Sequence, residues 1–234
     1  MRWTAGLAAL ALALPAAAET APRGKGAVAW LRDHTGHALD VQEVGPVVIA
    51  PGGVIVADPL TYSANPDWPI LATPEGPAQF VVALEADSGR VSKAMLVFSD
   101  APVLCGHDET TVGVDTGLAA FLDRPAAAAL EADSLALGLD RNIYDDWFHA
   151  LIGETHVVKE MVPLPSGIRF PMMSSGWGDG GYPVASLSDA EGRMVALYVD
   201  FMGRNDEGEW LLPPECPAPK TAGLEMPAFP PSIL

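Results

Sequence analysis

From Val44 onward the chain is written in short apolar runs separated by glycine and proline, the pattern of strands and turns rather than of amphipathic helices. Val47 to Ala50 and Val54 to Ala57 are β-branched runs around Pro51-Gly52-Gly53, which predicts a hairpin. Phe80 to Leu84 and Ser92 to Phe98 flank Asp87-Ser88-Gly89-Arg90, which predicts a second one. The first half therefore reads as a β meander. Upstream, a flexible lead-in over residues 19–26 precedes the apolar run Ala27 to Leu31, which predicts one more strand. Asp33-His34-Thr35-Gly36-His37 then reads as the turn that reverses it. His34 and His37 are potential metal ligands, but without a third ligand at matching spacing they read as solvated turn residues, and no metal site is assigned.

The second half repeats this order. At an offset of 103 residues, Val81, Leu84, Gly89, Arg90 and Phe98 fall on Val184, Leu187, Gly192, Arg193 and Phe201; at an offset of 65, Val47, Gly52 and Asp58 fall on Val112, Gly117 and Asp123. The difference between the offsets, 38 residues, measures an insertion between Pro125 and about Ser174. That insertion looks helical. Asp123 is a good N-cap, Pro125 suits a first turn, and Ala126 to Leu135 favours helix. Asn142 to Ile152, closed by Gly153, carries Ile143, Trp147, Phe148 and Leu151 on one apolar side. The expected fold class is α+β, predominantly antiparallel β. Two pseudo-repeated halves, 44–100 and 112–201, make one domain over 44–203, with helices over about 125–153, and a cleft is expected where the halves meet.

Composition adds the compartment. Met1-Arg2-Trp3-Thr4, the apolar run Ala5 to Leu14, Pro15 and Ala16-Ala17-Ala18 follow the order of a secretory signal. The run is too short to cross a bilayer, which takes about 20 residues. Cleavage after Ala18 would leave no membrane anchor, which predicts a periplasmic or secreted protein. The formal charge of −17 becomes −18 once Arg2 is removed, a field that repels nucleic acid and anionic surfaces. The two cysteines, Cys105 and Cys216, are expected to pair in an oxidising compartment. The alternative is a reactive Cys105, since His107, Asp108 and Glu109 follow it. After Gly203 the chain becomes a Pro-rich tail over 204–234, expected to wrap the surface with Cys216 as its staple.

Ser174-Ser175-Gly176-Trp177-Gly178-Asp179-Gly180-Gly181-Tyr182 places one carboxylate between two aromatics in a glycine-rich frame. Glycine lets such a segment turn sharply and lets other groups approach the backbone. Asp179, Trp177 and Tyr182 are the first candidate binding residues. Asp58, Asp115, Asp123 and Asp200 join them, because converging carboxylates bind hard cations such as Ca²⁺ or Mg²⁺ or act as an acid/base pair. The plainer reading of each is a turn or cap acceptor of backbone N–H groups. A phosphate cradle at Gly176, Gly178 and Gly180 would need a following helix or a lysine, and the sequence offers neither. The chain also lacks a nucleophile elbow, a His-Glu-x-x-His motif, a Walker loop, a dinucleotide fingerprint and EF-hand spacing. No catalytic residue or cofactor is assigned. The expectation is a non-enzymatic binding module for a small molecule or protein, with a carboxylate-based hydrolase using Ca²⁺ or Mg²⁺ as the alternative.

Three segments in order, Gly53 to Leu60, Val112 to Gly117 with Phe121 and Asp123, and Ser175 to Gly180 with Tyr182-Pro183 and Asp200-Phe201, resemble one bacterial family, domain of unknown function 4241. The resemblance runs from about Val44 to Gly203. It implies no activity, cofactor or catalytic residue. Where members resemble one another in a Trp-centred segment after the stretch corresponding to Ala101-Pro102-Val103-Leu104, this chain has Leu104-Cys105-Gly106.

Overall fold

The computed structural model describes residues 22–62, 68–138, 141–152, 157–204 and 207–217; the expected signal sequence and the end of the tail lie outside them. Among the described residues, ten strands form two antiparallel sheets. The first contains β1 (Leu39–Ile49), β3 (Gly76–Glu85), β4 (Val91–Val97), β10 (Met194–Asp200), β9 (Gly180–Ser188) and β5 (Cys105–Val114), in that order across the sheet. The second contains β2 (Val54–Ala57), β6 (Leu118–Asp123), β8 (Arg169–Ser174) and β7 (Lys159–Pro163).

Period-two alternation sorts the strand residues between layers. Val54, Val56, Ala119, Phe121 and Met173 face Phe80, Val82, Leu96, Val112, Val184 and Val199 between the sheets. Ile55, Ala57, Ala120 and Leu122 on the far side of the second sheet meet Ala126, Ala127 and Leu130 of α2 (Arg124–Leu137). Val81, Ala83, Met95, Ala185 and Leu187 on the far side of the first sheet meet Ala27, Trp30 and Leu31 of α1 (Lys25–His34). Both faces of each sheet are covered, so β4 and β10 read as near-continuous apolar runs.

The two halves correspond strand for strand. β1, β2, β3 and β4 match β5, β6, β9 and β10, and the six-stranded order reads the same from either edge. The bulge of β1 between Glu43 and Gly45 recurs in β5 between Asp108 and Thr110. Met95 pairs with Tyr198 across β4–β10, and Val56 pairs with Phe121 across β2–β6. These partners are separated by the two sequence offsets themselves, 103 and 65. A residue faces its own counterpart only on a twofold axis, so the pseudo-twofold passes through both pairs. Gly89 and Gly192, both at positive φ, occupy matching hairpin ends, and Gly52 and Gly117 occupy matching corners.

Three expectations change. Ala27 to Leu31 is helix, because Ala27, Trp30 and Leu31 at i, i+3 and i+4 make a helical stripe as well as an apolar run. The helix begins at Lys25, inside the expected lead-in. Pro51-Gly52-Gly53 is not a hairpin turn; it carries the chain from β1 in the first sheet to β2 in the second. Gly53, at φ 86°, could not bear a Cβ, which would lie 2.4 Å from the Leu71 carbonyl oxygen. Nor do the halves part into a cleft, since β4–β10 and β2–β6 pairing joins them through the backbone.

The insertion holds α2, a π-helical turn at Tyr144–Phe148, α3 (His149–Ile152), β7 and β8. Asp123 caps α2 by accepting the Ala126 N–H at 3.0 Å. Ile143 and Phe148 are buried and Trp147 is half-buried against the same core. The side chain of Leu151, and Gly153, lie outside the described residues. Cys105 and Cys216 form a disulfide, which fixes the first part of the tail to the edge of β5. No described helix is long and apolar enough to cross a membrane.

Candidate functional site

The loop of residues 175–179 connects β8 to β9 at one end of the larger sheet, and its shape follows from small residues bonding to one another. Ser175 donates its N–H to Gly117 O (3.0 Å) and its hydroxyl to Gly178 O (2.8 Å). Gly178 donates its N–H to Ser175 O at 3.0 Å. The Tyr182 hydroxyl, rising from β9, lies 2.6 Å from Gly178 O and 3.1 Å from Ser175 O. Gly176 sits at φ 61°, and a Cβ there would meet Met202 Cγ at 2.8 Å. Tyr182 is buried, with its ring edge-on to Phe201 at 5.1 Å and to Trp210 at 6.1 Å. Burial pushes its phenol above the ordinary value, and the Asp179 charge adds to the rise.

This frame turns Trp177 outward. Its side chain is 68% exposed, although burying a tryptophan is normally worth several kcal/mol. Arg90, from the β3–β4 hairpin end, stacks its guanidinium 3.9 Å from the Trp177 ring centroid and donates Nη1–H to Gly176 O at 3.1 Å. One cation thus grips both the ring and the loop beneath it.

The candidate aspartates divide into two kinds. Asp58, fully buried, accepts the N–H groups of Leu60 (3.0 Å), Asp115 (2.9 Å) and Thr116 (2.9 Å) and the Thr116 hydroxyl (2.8 Å). Asp123, its counterpart, accepts the N–H groups of Ala50 and Ala126, each at 3.0 Å. Ala50 and Asp115 are themselves counterparts, so each half uses an aspartate to hold the corner of the other. Asp200, also fully buried, accepts from Lys93 Nζ (2.8 Å) and from the N–H groups of Met202 (3.2 Å), Gly203 (2.9 Å) and Leu211 (2.6 Å). Burial lowers the Lys93 ammonium below its ordinary range, and Asp200 opposes that shift. Burial raises the neighbouring Tyr198 phenol well above its ordinary value, with the Asp200 charge adding to it.

Asp115 and Asp179 are the exposed pair. The β5–β9 ladder ends at Val114 opposite Gly180, so these two aspartates flank its last pair, Asp115 following β5 and Asp179 preceding β9. Among the described residues, no three His, Cys, Asp or Glu side chains come together as a metal cage. Sequence reasoning missed Lys93 and the role of Arg90. A lysine inside the apolar run Val91 to Val97 was the available signal for a buried partner.

The fold and this end of it define a duplicated, two-sheet antiparallel β protein that displays a braced tryptophan–arginine pair beside two exposed carboxylates. The chain belongs to the family described as "Protein of unknown function (DUF4241)", whose model matches residues 47–199. No curated protein and no solved structure matches the chain.

Proposed function

We propose that this protein is a non-enzymatic binding module of the periplasm or extracellular space, whose contact point is the loop 175–184 with Trp177 at its tip. The observation that carries this reading is Trp177, held out in solvent by a hydrogen-bonded glycine frame and by Arg90. Pre-ordering an aromatic removes much of the entropic cost of using it in a contact, and Trp and Arg are the residues most often dominant in interfaces. Three of the five candidate aspartates are occupied by backbone N–H groups and Lys93, which leaves little carboxylate for chemistry. The Cys105–Cys216 disulfide supports an oxidising compartment, as the N-terminal sequence does. The acidic charge disfavours nucleic acid as the partner. The test compares ligands retained from a periplasmic extract by immobilised wild-type, Trp177→Ala and Arg90→Ala proteins. A ligand kept by the first and lost by both variants, with unchanged melting temperature, supports the reading; equal retention by all three refutes it.

The placement of Asp115 and Asp179 at the same end of the β5–β9 ladder favours one second reading, a carboxylate-based hydrolase using Ca²⁺ or Mg²⁺. Screening glycoside and ester substrates with and without each cation tests it. A turnover abolished by Asp179→Asn and by Asp115→Asn in folded protein would replace the binding reading.

A further inference from the structure

The pseudo-twofold exposes a difference between the two edges of the larger sheet. At the β5 edge, Gly106 donates its N–H to Pro214 O at 2.9 Å and accepts the Cys216 N–H at 3.1 Å, so both its backbone groups face away from β9. The segment Pro214-Glu215-Cys216 thereby forms a short parallel bridge centred on Glu215. At the other edge, Val41 is the counterpart of Gly106. It lies opposite Ala83 as Gly106 lies opposite Leu187, because β9 is displaced by one residue from the sequence offset so that Ala83 answers to Leu187 and Val81 to Ala185, and each sits three residues before its strand's bulge. The N–H and C=O of Val41 are accordingly turned out of the sheet. Among the described residues no strand or bridge takes them.

What borders Val41 is chemically distinct. A groove of about 470 Å³ runs between α1 and β1, with Val28, Ala29 and Val41 along it and Arg23, Lys25 and Arg32 around it; Glu43 is its one acidic lining residue. The three cationic side chains have no hydrogen bond or ion pair among the described residues, whereas Arg141, Arg193 and Arg204 are each paired with a carboxylate. In a chain with 30 acidic and 13 basic residues, three cations against Glu43 leave the lining of this groove with a positive excess, although the Asp100 carboxylate sits behind them and accepts the backbone N–H groups of Arg23 and Lys25.

We propose that the β1 edge at Val41, flanked by Arg23, Lys25 and Arg32, docks an acidic extended segment of a partner chain. The segment adds to the sheet at Val41 as Pro214–Cys216 does at Gly106, and its carboxylates meet the three cations. Backbone pairing supplies the register and the charges select the partner. The docked stretch is short, because the bulge at Val44 and the missing N–H of Pro46 end regular pairing along this edge. This surface does not depend on the Trp177 loop, and its failure leaves the reading of that loop untouched.

The experiment titrates ¹⁵N-labelled mature protein with a capped Val-Glu-Val-Glu-Val-Glu peptide, using the Val-Lys analogue and inorganic pyrophosphate as comparison probes. Saturable shifts at Leu39, Val41, Glu43 and α1, with slowed amide exchange at Val41, are expected for the glutamate peptide alone. The triple variant Arg23→Glu, Lys25→Glu, Arg32→Glu should weaken binding by about tenfold or more, as three exposed ion pairs would. Val41→Pro removes the outward N–H and should abolish the slowed exchange and the binding while the fold remains. No shift at β1, binding indifferent to both variants, or pyrophosphate binding as tightly without protecting Val41 would overturn the proposal. So would concentration-dependent self-association through this edge, which would make a second copy the occupant.

Discussion

Asp58 and Asp123 occupy equivalent places, yet they should differ in worth, and replacing each with alanine measures the difference. Asp58→Ala leaves the N–H groups of Leu60, Asp115 and Thr116 and the Thr116 hydroxyl without their acceptor. A hydrogen bond to a charged group contributes about 1.5–3 kcal/mol, and an orphaned buried donor costs about 1–3 kcal/mol. Water can reach part of this corner, since Asp115 and Thr116 are exposed. Discounting for that, the expected loss is about 3–4 kcal/mol, a large part of the ~5–15 kcal/mol that stabilises a typical domain. Asp123→Ala loses a helix cap, about 1 kcal/mol, and one half-buried bond from the Ala50 N–H to a charged carboxylate, about 1.5 kcal/mol, for a total of about 2.5 kcal/mol. Urea unfolding of both variants with the disulfide intact, followed by circular dichroism, reads the two values from the midpoint at constant slope. A loss below about 1 kcal/mol for Asp58→Ala, or a larger loss for Asp123→Ala than for Asp58→Ala, would refute the argument that these carboxylates bind the halves together.

Trp177→Ala should change stability by less than about 0.5 kcal/mol, because an exposed ring contributes little packing; a melting-temperature shift of many degrees would mean that the ring is structural. Tyr182→Phe removes the hydroxyl that closes the loop and should cost about 1 kcal/mol while increasing amide exchange at Gly178. Reducing Cys105–Cys216, 111 residues apart, should lower stability by about 4–5 kcal/mol in the chain-entropy account, measured by urea unfolding with and without reductant. Lys93→Met leaves Asp200 buried without its cation and should cost about 3 kcal/mol at neutral pH. It should also remove a pH dependence. Folded Lys93 releases its proton below the ordinary 10.5, so between the lowered value and 10.5 the unfolded chain binds more protons and wild-type stability rises with pH. A rise of the same slope in Lys93→Met would assign it to another group.

Sequence periodicity located the strands well and misassigned their neighbours. The Gly-Arg turns, the α2 cap at Asp123 and the site of the insertion were legible because each is local: a turn residue, a cap and a change of offset. Sheet membership was not legible, since Pro51-Gly52-Gly53 has the composition of a hairpin whether the next strand folds back or crosses to another layer. Ala27 to Leu31 failed for a related reason. Five consecutive apolar residues satisfy both periods, and only the neighbouring surface around Met95 and Leu187 selects the helix. Among the candidate site residues, sequence identified every aspartate but could not separate acceptors of backbone N–H groups from exposed groups. That depends on which corners meet across the twofold.

The twofold also indicates where to seek function, because duplication accounts for whatever obeys it. The reciprocal Asp58 and Asp123 clamps, the matched bulges and the paired glycine corners obey it, and each is explained by holding two halves together. Lys93 and Asp200 do not: their counterparts are Ala196 and Val97, so the buried ion pair is present on one side of the axis only. What it holds is the turn after β10, through Gly203 O at 2.5 Å and the Leu211 N–H, and that turn places Phe201 and Met202 beneath the Trp177 loop. Arg90 departs in the same way. Its counterpart Arg193 pairs with Asp189 within its own hairpin, whereas Arg90 reaches across to Trp177. These two departures from symmetry thus meet at one end of the larger sheet, and breaking the Lys93–Asp200 pair should loosen the Trp177 loop as well as the tail. Comparing amide exchange at Gly176 and Gly178 in wild type and Lys93→Met tests that coupling; exchange that rises only at Gly203 and Leu211 would separate the buried pair from the loop.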